Sequence, residues 1–151
     1  HPGRCYNPRQ TTLRPAQGRP ERRGASTILM PSPSVRLYRW DEIALDKVTE
    51  MISRKIITGE REMVTQIYLK RGALVPMHSH ESEQMTYVLQ GGLRFVINGE
   101  EITVREGEVL HIPSWIPHQA EAIDDTFEMD IFSPIRQDWL DGTDSYFHDK
   151  K

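Results

Sequence analysis

Over residues 65–132 the chain alternates apolar and polar positions in short runs, each closed by a turn former. Residues 65–70 (T-Q-I-Y-L-K) end at Arg71-Gly72, and runs at 73–78 and 84–89 follow before Gly91-Gly92. Runs at 93–97 and 101–104 flank Asn98-Gly99, a pair that tolerates positive φ at both positions and so marks a tight hairpin. Gly107 precedes a run at 109–112, Pro113 and Pro117 interrupt, and runs at 118–122 and 127–132 complete the series. Side chains two apart share a strand face. Many such strands, with turn signals about every 8–12 residues, predict an all-β sandwich or barrel with little helix. One helix is expected over 41–52 and one C-terminal helical turn at 138–140.

The pattern does not extend to the N-terminal stretch. Residues 1–29 lack apolar periodicity and carry arginines at 4, 9, 14, 19, 22 and 23, one acid (Glu21), and prolines at 2, 8, 15 and 20. Such a stretch buries too little apolar surface to offset its ordering entropy. It is expected to be a disordered leader, followed by one folded domain over 30–151 with its barrel core at about 55–134. An arginine-rich arm for nucleic acid is the other use of such a segment. The absence of lysine and of an aromatic cluster, and the Met at the composition shift, favour a leader or mis-called start over 1–29, with Met30 as the expected initiator.

Charge and composition narrow the classes. The chain has a formal net charge of −3; the leader's six arginines against one acid leave −8 on residues 30–151. No nucleic-acid partner is expected for so acidic a domain. A run of about 18 apolar residues is missing, so no membrane span is expected, and no apolar stretch follows a basic one at the start, as a secretory signal requires. The single cysteine, Cys5, allows no disulfide within the chain and fits a reducing compartment, so a cytoplasmic location is expected.

The chemistry gathers at His78-Ser79-His80. Two imidazoles on one strand face inside a barrel are costly unless a metal or charged partners engage them. Gln84 opens the next strand, and His118 opens a later one after Pro117. Three neutral imidazoles and an amide oxygen suit one divalent transition metal, Zn, Ni, Fe, Mn or Co, and disfavour Mg and Ca. His1, His111 and His148 read as ordinary surface or satisfied histidines. Taken alone, the His78–His80 pair fits a metal site and a pair of satisfied histidines equally well.

The spacing around these residues resembles the two motifs of the cupin family. Gly72, five residues, His78-x-His80, three residues, Gln84, six residues and Gly91 resembles the first; Gly107, five residues, Pro113 and then His118 resembles the second. The resemblance implies a double-stranded β-helix, a jelly-roll barrel, with a metal inside one mouth held by His78, His80, Gln84 and His118. Gln84 stands where the first motif usually has Glu, Trp115 where the second usually has Gly, and Ala122 where it often has Asn. Glu83 falls one residue short of the motif spacing and on the opposite strand parity, so it is not assigned as a ligand. Gln in place of Glu makes the metal site one formal charge more positive, hence a stronger Lewis acid.

The end of the barrel is similar to the small single-domain cupins of pectin and alginate breakdown (the KdgF type), which convert unsaturated uronates to linear keto sugars. That resemblance implies that Asp130, Phe132 and Arg136 work beside the metal. Strand parity puts Asp130 and Phe132 on one face, and the Ser133-Pro134 turn can return Arg136 over the mouth, where its fork suits a substrate carboxylate. The His/Gln pattern also resembles the cupin isomerase of bacilysin biosynthesis.

The expected activity is a metal-dependent isomerase or tautomerase on a small acidic sugar or keto acid, with Asp130 moving a proton and Arg136 binding the carboxylate. One alternative is a quercetinase-type dioxygenase, which needs O2 and often carries Glu at the position of Gln84; oxygen uptake separates the two. Another is a non-catalytic sugar-binding cupin. A homodimer is expected, because jelly-roll sheets leave edges to cover, with Val48, Met51, Ile52, Ile56 and Ile57 lying across a partner's sheet.

Overall fold

The computed structural model describes residues 34–147. The expected leader over 1–29, Met30, His1 and His148 lie outside the described residues. Among the described residues ten antiparallel strands follow one another: β1 (Asp46–Lys47), β2 (Ile52–Thr58), β3 (Met63–Leu69), β4 (Leu74–His78), β5 (Glu83–Gln90), β6 (Gly92–Ile97), β7 (Glu100–Arg105), β8 (Val109–Ile112), β9 (His118–Ala122) and β10 (Thr126–Ser133). They form a six-stranded sheet in the order β1-β2-β3-β10-β5-β8 and a four-stranded sheet in the order β4-β9-β6-β7. Two antiparallel sheets with, among the described residues, one short α-helix, α1 (Gln137–Asp141), are the all-β barrel that the alternation predicts and the jelly roll that the resemblance implies.

The alternation decides what lies inside. On β3, Met63, Thr65, Ile67 and Leu69 are buried, and on β10 the same parity buries Thr126, Glu128, Asp130 and Phe132. Met63, Ile67, Leu69, Val88, Leu93, Phe95, Val104, Ile112, Phe132 and Trp139 form the apolar core, each large side chain contributing about 1.5–3 kcal/mol by leaving water. Cross-strand register then fixes the polar insert: Asp130 lies between Thr65 and Thr86, and Phe132 between Met63 and Gln84. The β6–β7 hairpin turns at Asn98 (φ 53°) and Gly99 (φ 75°), both in the left-handed region as the dipeptide predicts. Gly91, which ends the first motif, has φ +87°, and a Cβ there would collide with the Asp125 carbonyl oxygen.

One expectation fails. Residues 41–52 do not form a helix: a 3₁₀ turn at Trp40–Glu42 is followed by β1, and β2 begins at Ile52. The reason is local. Thr49 Oγ1 accepts the Met51 and Ile52 amides at 3.1 Å each, and Val48 and Thr49 donate back to Ile52 O at 3.0 and 3.1 Å, a side-chain-stabilised turn that competes with helix. Of the apolar residues expected to cross a partner's sheet, Ile52, Val48 and Ile56 face their own barrel and Met51 is exposed. Ile52 is 3% exposed, and Val48 and Ile56 pack against the same core. The C-terminal turn expected at 138–140 lies inside α1, which stops at Gly142 in the left-handed conformation. Among the described residues no helix is long and apolar enough to cross a membrane.

Candidate metal centre

His78 closes β4 and His118 opens β9, and the two are direct cross-strand partners. His80 lies in the loop between β4 and β5. The β4–β9 register shifts between Val75 and His78, and Pro76, which lacks an N–H, sits inside that shift with its carbonyl turned to the His78 ring. Ring centroids are 4.4 Å apart for His78–His118, 5.1 Å for His80–His118 and 5.5 Å for His78–His80. One nitrogen from each ring lies within 4.8 Å of the others.

The backbone fixes the tautomer of all three rings. Nδ1 of His78 meets Pro76 O at 2.7 Å, Nδ1 of His80 meets Ser82 O at 2.8 Å, and Nδ1 of His118 meets Ile116 O at 2.8 Å. A carbonyl only accepts, so each Nδ1 carries the proton and each Nε2 keeps its lone pair. Burial, reinforced by neighbouring positive charge, keeps the rings neutral. It pushes His78 down to about 3 and His80 down to about 4, and it lowers His118. Three neutral imidazoles oriented from behind by backbone can hold a metal ion.

Gln84 completes an electron-rich cluster. Its Nε2 donates to Thr86 Oγ1 at 2.8 Å and to Asp130 Oδ1 at 3.3 Å, which sets the amide's orientation. Its Oε1 therefore faces His80 Nε2 at 3.1 Å, one acceptor against another. His118 Nε2 is buried without a partner. A shared cation would satisfy all of these atoms at once, whereas each ring's only proton is already held on Nδ1. The donor set is the nitrogen-rich, borderline-soft kind that suits a divalent transition metal.

The remaining expected residues surround the same small cavity, about 30 Å³ in volume, which His78, Gln84, His118, Asp130, Phe132 and Arg136 help to line. Asp130 is 5% exposed. Burial pushes its carboxyl up to about 6, against the opposing hydrogen bond from Thr86 and the charge of Arg136. Thr86 Oγ1 donates to Asp130 Oδ1 at 2.5 Å. Phe132 packs edge-on to His80, centroids 5.7 Å apart, and edge-on to Trp139 at 5.0 Å. It is a wall that holds a histidine ring and brings no reactive atom. Arg136 lies with its guanidinium 5.2 Å from the Phe132 ring centroid. Its fork is not open: Nε and Nη2 donate to the two Asp138 oxygens at 2.9 and 2.7 Å. Glu83 and His111 point outward and meet each other at 3.1 Å, away from the site.

Four residues of the site escaped the sequence reading. Glu128 lines the cavity one pleat from Asp130; burial, then the Asp130 charge, raise its carboxyl well above the usual range, and Oε2 has no partner. The parity that placed Asp130 and Phe132 inside extends two residues back to Glu128. Tyr146 stacks on His78 with centroids 4.2 Å apart and planes 5° from parallel. Arg54 pairs with the buried Asp144 at 2.7 Å and lies 4.4 Å from the Trp139 ring, tying the C-terminal segment to β2. Asp138 holds Arg136. Trp115, standing where the motif has Gly, is held at φ 63° with its side chain 62% exposed, at a backbone cost of about 1–2 kcal/mol. Its N–H donates to His80 O at 2.8 Å.

A family described as Cupin domain matches residues 65–133. The pectin degradation protein KdgF of Dickeya dadantii (strain 3937) is 29% identical over 108 residues, covering 70% of this chain and 98% of that protein. The solved structure of KdgF from Halomonas sp. matches with a TM-score of 0.65 and 31% identity, over 70% of this chain and 100% of that one. An RmlC-like cupin from Shewanella frigidimarina NCIMB 400 shares the fold at a TM-score of 0.66 and 21% identity, over 70% of this chain and 96% of that one.

Proposed function

From the premise that this chain belongs to the cupin superfamily, we propose that it is a metal-dependent isomerase that opens the ring of a small unsaturated sugar acid. His78, His80, His118 and Gln84 hold one divalent transition metal in this reading. The observation that carries it is the facing of acceptor atoms, His80 Nε2 against Gln84 Oε1 at 3.1 Å, beside a cavity lined by an interior carboxyl and a buried arginine. Likeness to KdgF, a pectin degradation protein, supports the substrate class.

The ring opening of such a substrate is an isomerisation and needs no external reagent. The anomeric hydroxyl loses its proton, C1=O forms, the C1–O5 bond breaks, and the enol left at C5 becomes a ketone as C4 gains a proton. A bound divalent metal supplies Lewis acidity to a ligand oxygen. Asp130 is the proton carrier. Thr86 and Gln84 both donate to its Oδ1, which leaves Oδ2 for the substrate. Burial raises this carboxyl above the ordinary carboxylate value, toward the range in which a group both takes a proton and returns it. Arg136 attracts the substrate's carboxylate. Metal-loaded protein mixed with an unsaturated uronate and followed by proton NMR should show loss of the vinyl C4 proton and a new C4 methylene. An unchanged vinyl signal at full metal loading rejects the reading.

The buried imidazoles give a pH signature. Protons compete with a metal only below the pKa that each ring has in the folded, metal-free protein. With all three rings held below the ordinary imidazole value, His80 at about 4 and His78 at about 3, metal content after dialysis should stay constant as pH falls through 6.5 and drop only in more acid solution. Loss with a midpoint near the ordinary imidazole value of 6.5 would show that the rings are solvated.

A further inference from the structure

Arg136 is surrounded as if by a holder. It is 3% exposed. Asp138 engages the Nε–Nη2 edge with both oxygens, at 2.9 and 2.7 Å. Nη2 also donates to Tyr146 Oη at 3.1 Å, and Trp139 Nε1 donates to that same oxygen at 3.1 Å. The guanidinium lies 4.9 Å from the Trp139 ring. Burial alone would raise the Asp138 carboxyl, but the Arg136 guanidinium outweighs it and holds the group below its ordinary value, so Asp138 is ionised. Every N–H on the Nε–Nη2 edge is thereby engaged. Nη1 is left buried and, among the described residues, without a partner, on a residue that lines the cavity shared with His78, His118 and Asp130. A buried charged donor with no acceptor is costly to maintain and calls for a ligand.

We propose that Asp138, with Tyr146, is a positioning residue that commits the fork of Arg136 to the protein, so that Nη1 alone is presented to the cavity and takes a single anionic oxygen of the ligand end-on. The inference rests on the reading of Arg136 as the group that binds substrate charge, and it replaces the bidentate mode with a one-oxygen mode that leaves the ligand's second oxygen for another partner. The competing description is that Asp138 occupies the place of the substrate carboxylate and is displaced by it. The two descriptions predict opposite signs. If Asp138 orients, its removal weakens binding; if it blocks, its removal strengthens binding.

The test uses metal-loaded Arg136→Ala, Asp138→Ala, Asp138→Glu and Tyr146→Phe proteins. It reads KM and kcat with an unsaturated uronate, and calorimetric affinity for galacturonate against galactose. Arg136→Ala and Asp138→Ala should each raise KM about tenfold or more with kcat within about threefold. Asp138→Glu should recover part of the loss, and Tyr146→Phe should show a smaller rise. The galacturonate-to-galactose affinity ratio should fall in the same order. A fall in melting temperature with equal weakening toward both sugars means that Asp138 is only structural, and overturns the proposal; so does an unchanged or lowered KM in Asp138→Ala. Should the alanine variant fail to fold, Asp138→Asn, which keeps the shape and removes the charge, reads the same ratio. If Arg136→Ala leaves KM and the ratio untouched, the reading of Arg136 itself fails. If Arg136→Ala raises KM and Asp138→Ala does not, only the present inference fails.

Discussion

Asp130→Asn will lower turnover of an unsaturated uronate by about 10²–10⁴-fold, the usual contribution of a positioned acid–base group, while the protein keeps its metal. The side chain is 5% exposed in the middle of β10, where an idle carboxyl would be expensive. Asparagine is the right substitution. Its Oδ1 can still accept from Thr86 and from Gln84 Nε2, so the Gln84 amide keeps the orientation that turns Oε1 toward His80. Asp130→Ala removes that acceptor and frees Gln84 as well, so its metal affinity should fall along with its rate. Metal content by elemental analysis beside kcat separates the two variants. Near-normal turnover in Asp130→Asn would remove the proton carrier from the mechanism.

His118→Ala should lose metal affinity by more than the roughly 10–100-fold that a missing orienting partner costs, and turnover with it. Its metal-free form should melt close to the metal-free wild type. The substitution removes packing and the Nδ1 bond to Ile116 O at 2.8 Å, but it also removes a buried, partnerless Nε2, and the two effects oppose each other. The contrast appears on adding metal: the wild type should gain melting temperature by mass action and the variant should not. A variant that binds one ion per chain with wild-type affinity would show that His118 is a packing residue.

The barrel was legible where a single rule decided the outcome. Alternation gave the strands of the barrel core, the Asn98-Gly99 dipeptide gave the β6–β7 hairpin, and parity put Asp130 and Phe132 inside. The motif spacing gathered His78, His80 and His118, whose rings lie together, and Gln84, whose Oε1 meets His80 Nε2. β2 was hidden because its interior position after Ile52 is Arg54, a charge whose partner, Asp144, lies 90 residues later; alternation breaks where a long-range ion pair replaces an apolar contact. The misread helix over 41–52 reflects Thr49, whose side chain closes a turn that periodicity does not register. Glu128 was within reach of the same parity argument as Asp130. Asp138 and Tyr146 were not, because the clamp on Arg136 joins residues 2 and 10 positions apart across α1 and the turn after it, with no repeating pattern to mark it.

Turnover measured against bound metal tests the central claim most directly. Protein stripped by chelation and reloaded with increasing amounts of a divalent transition metal should open an unsaturated uronate at a rate that rises in proportion to occupancy and stops rising at one ion per chain. A rate that is independent of occupancy, or absent at one ion per chain, would contradict the account.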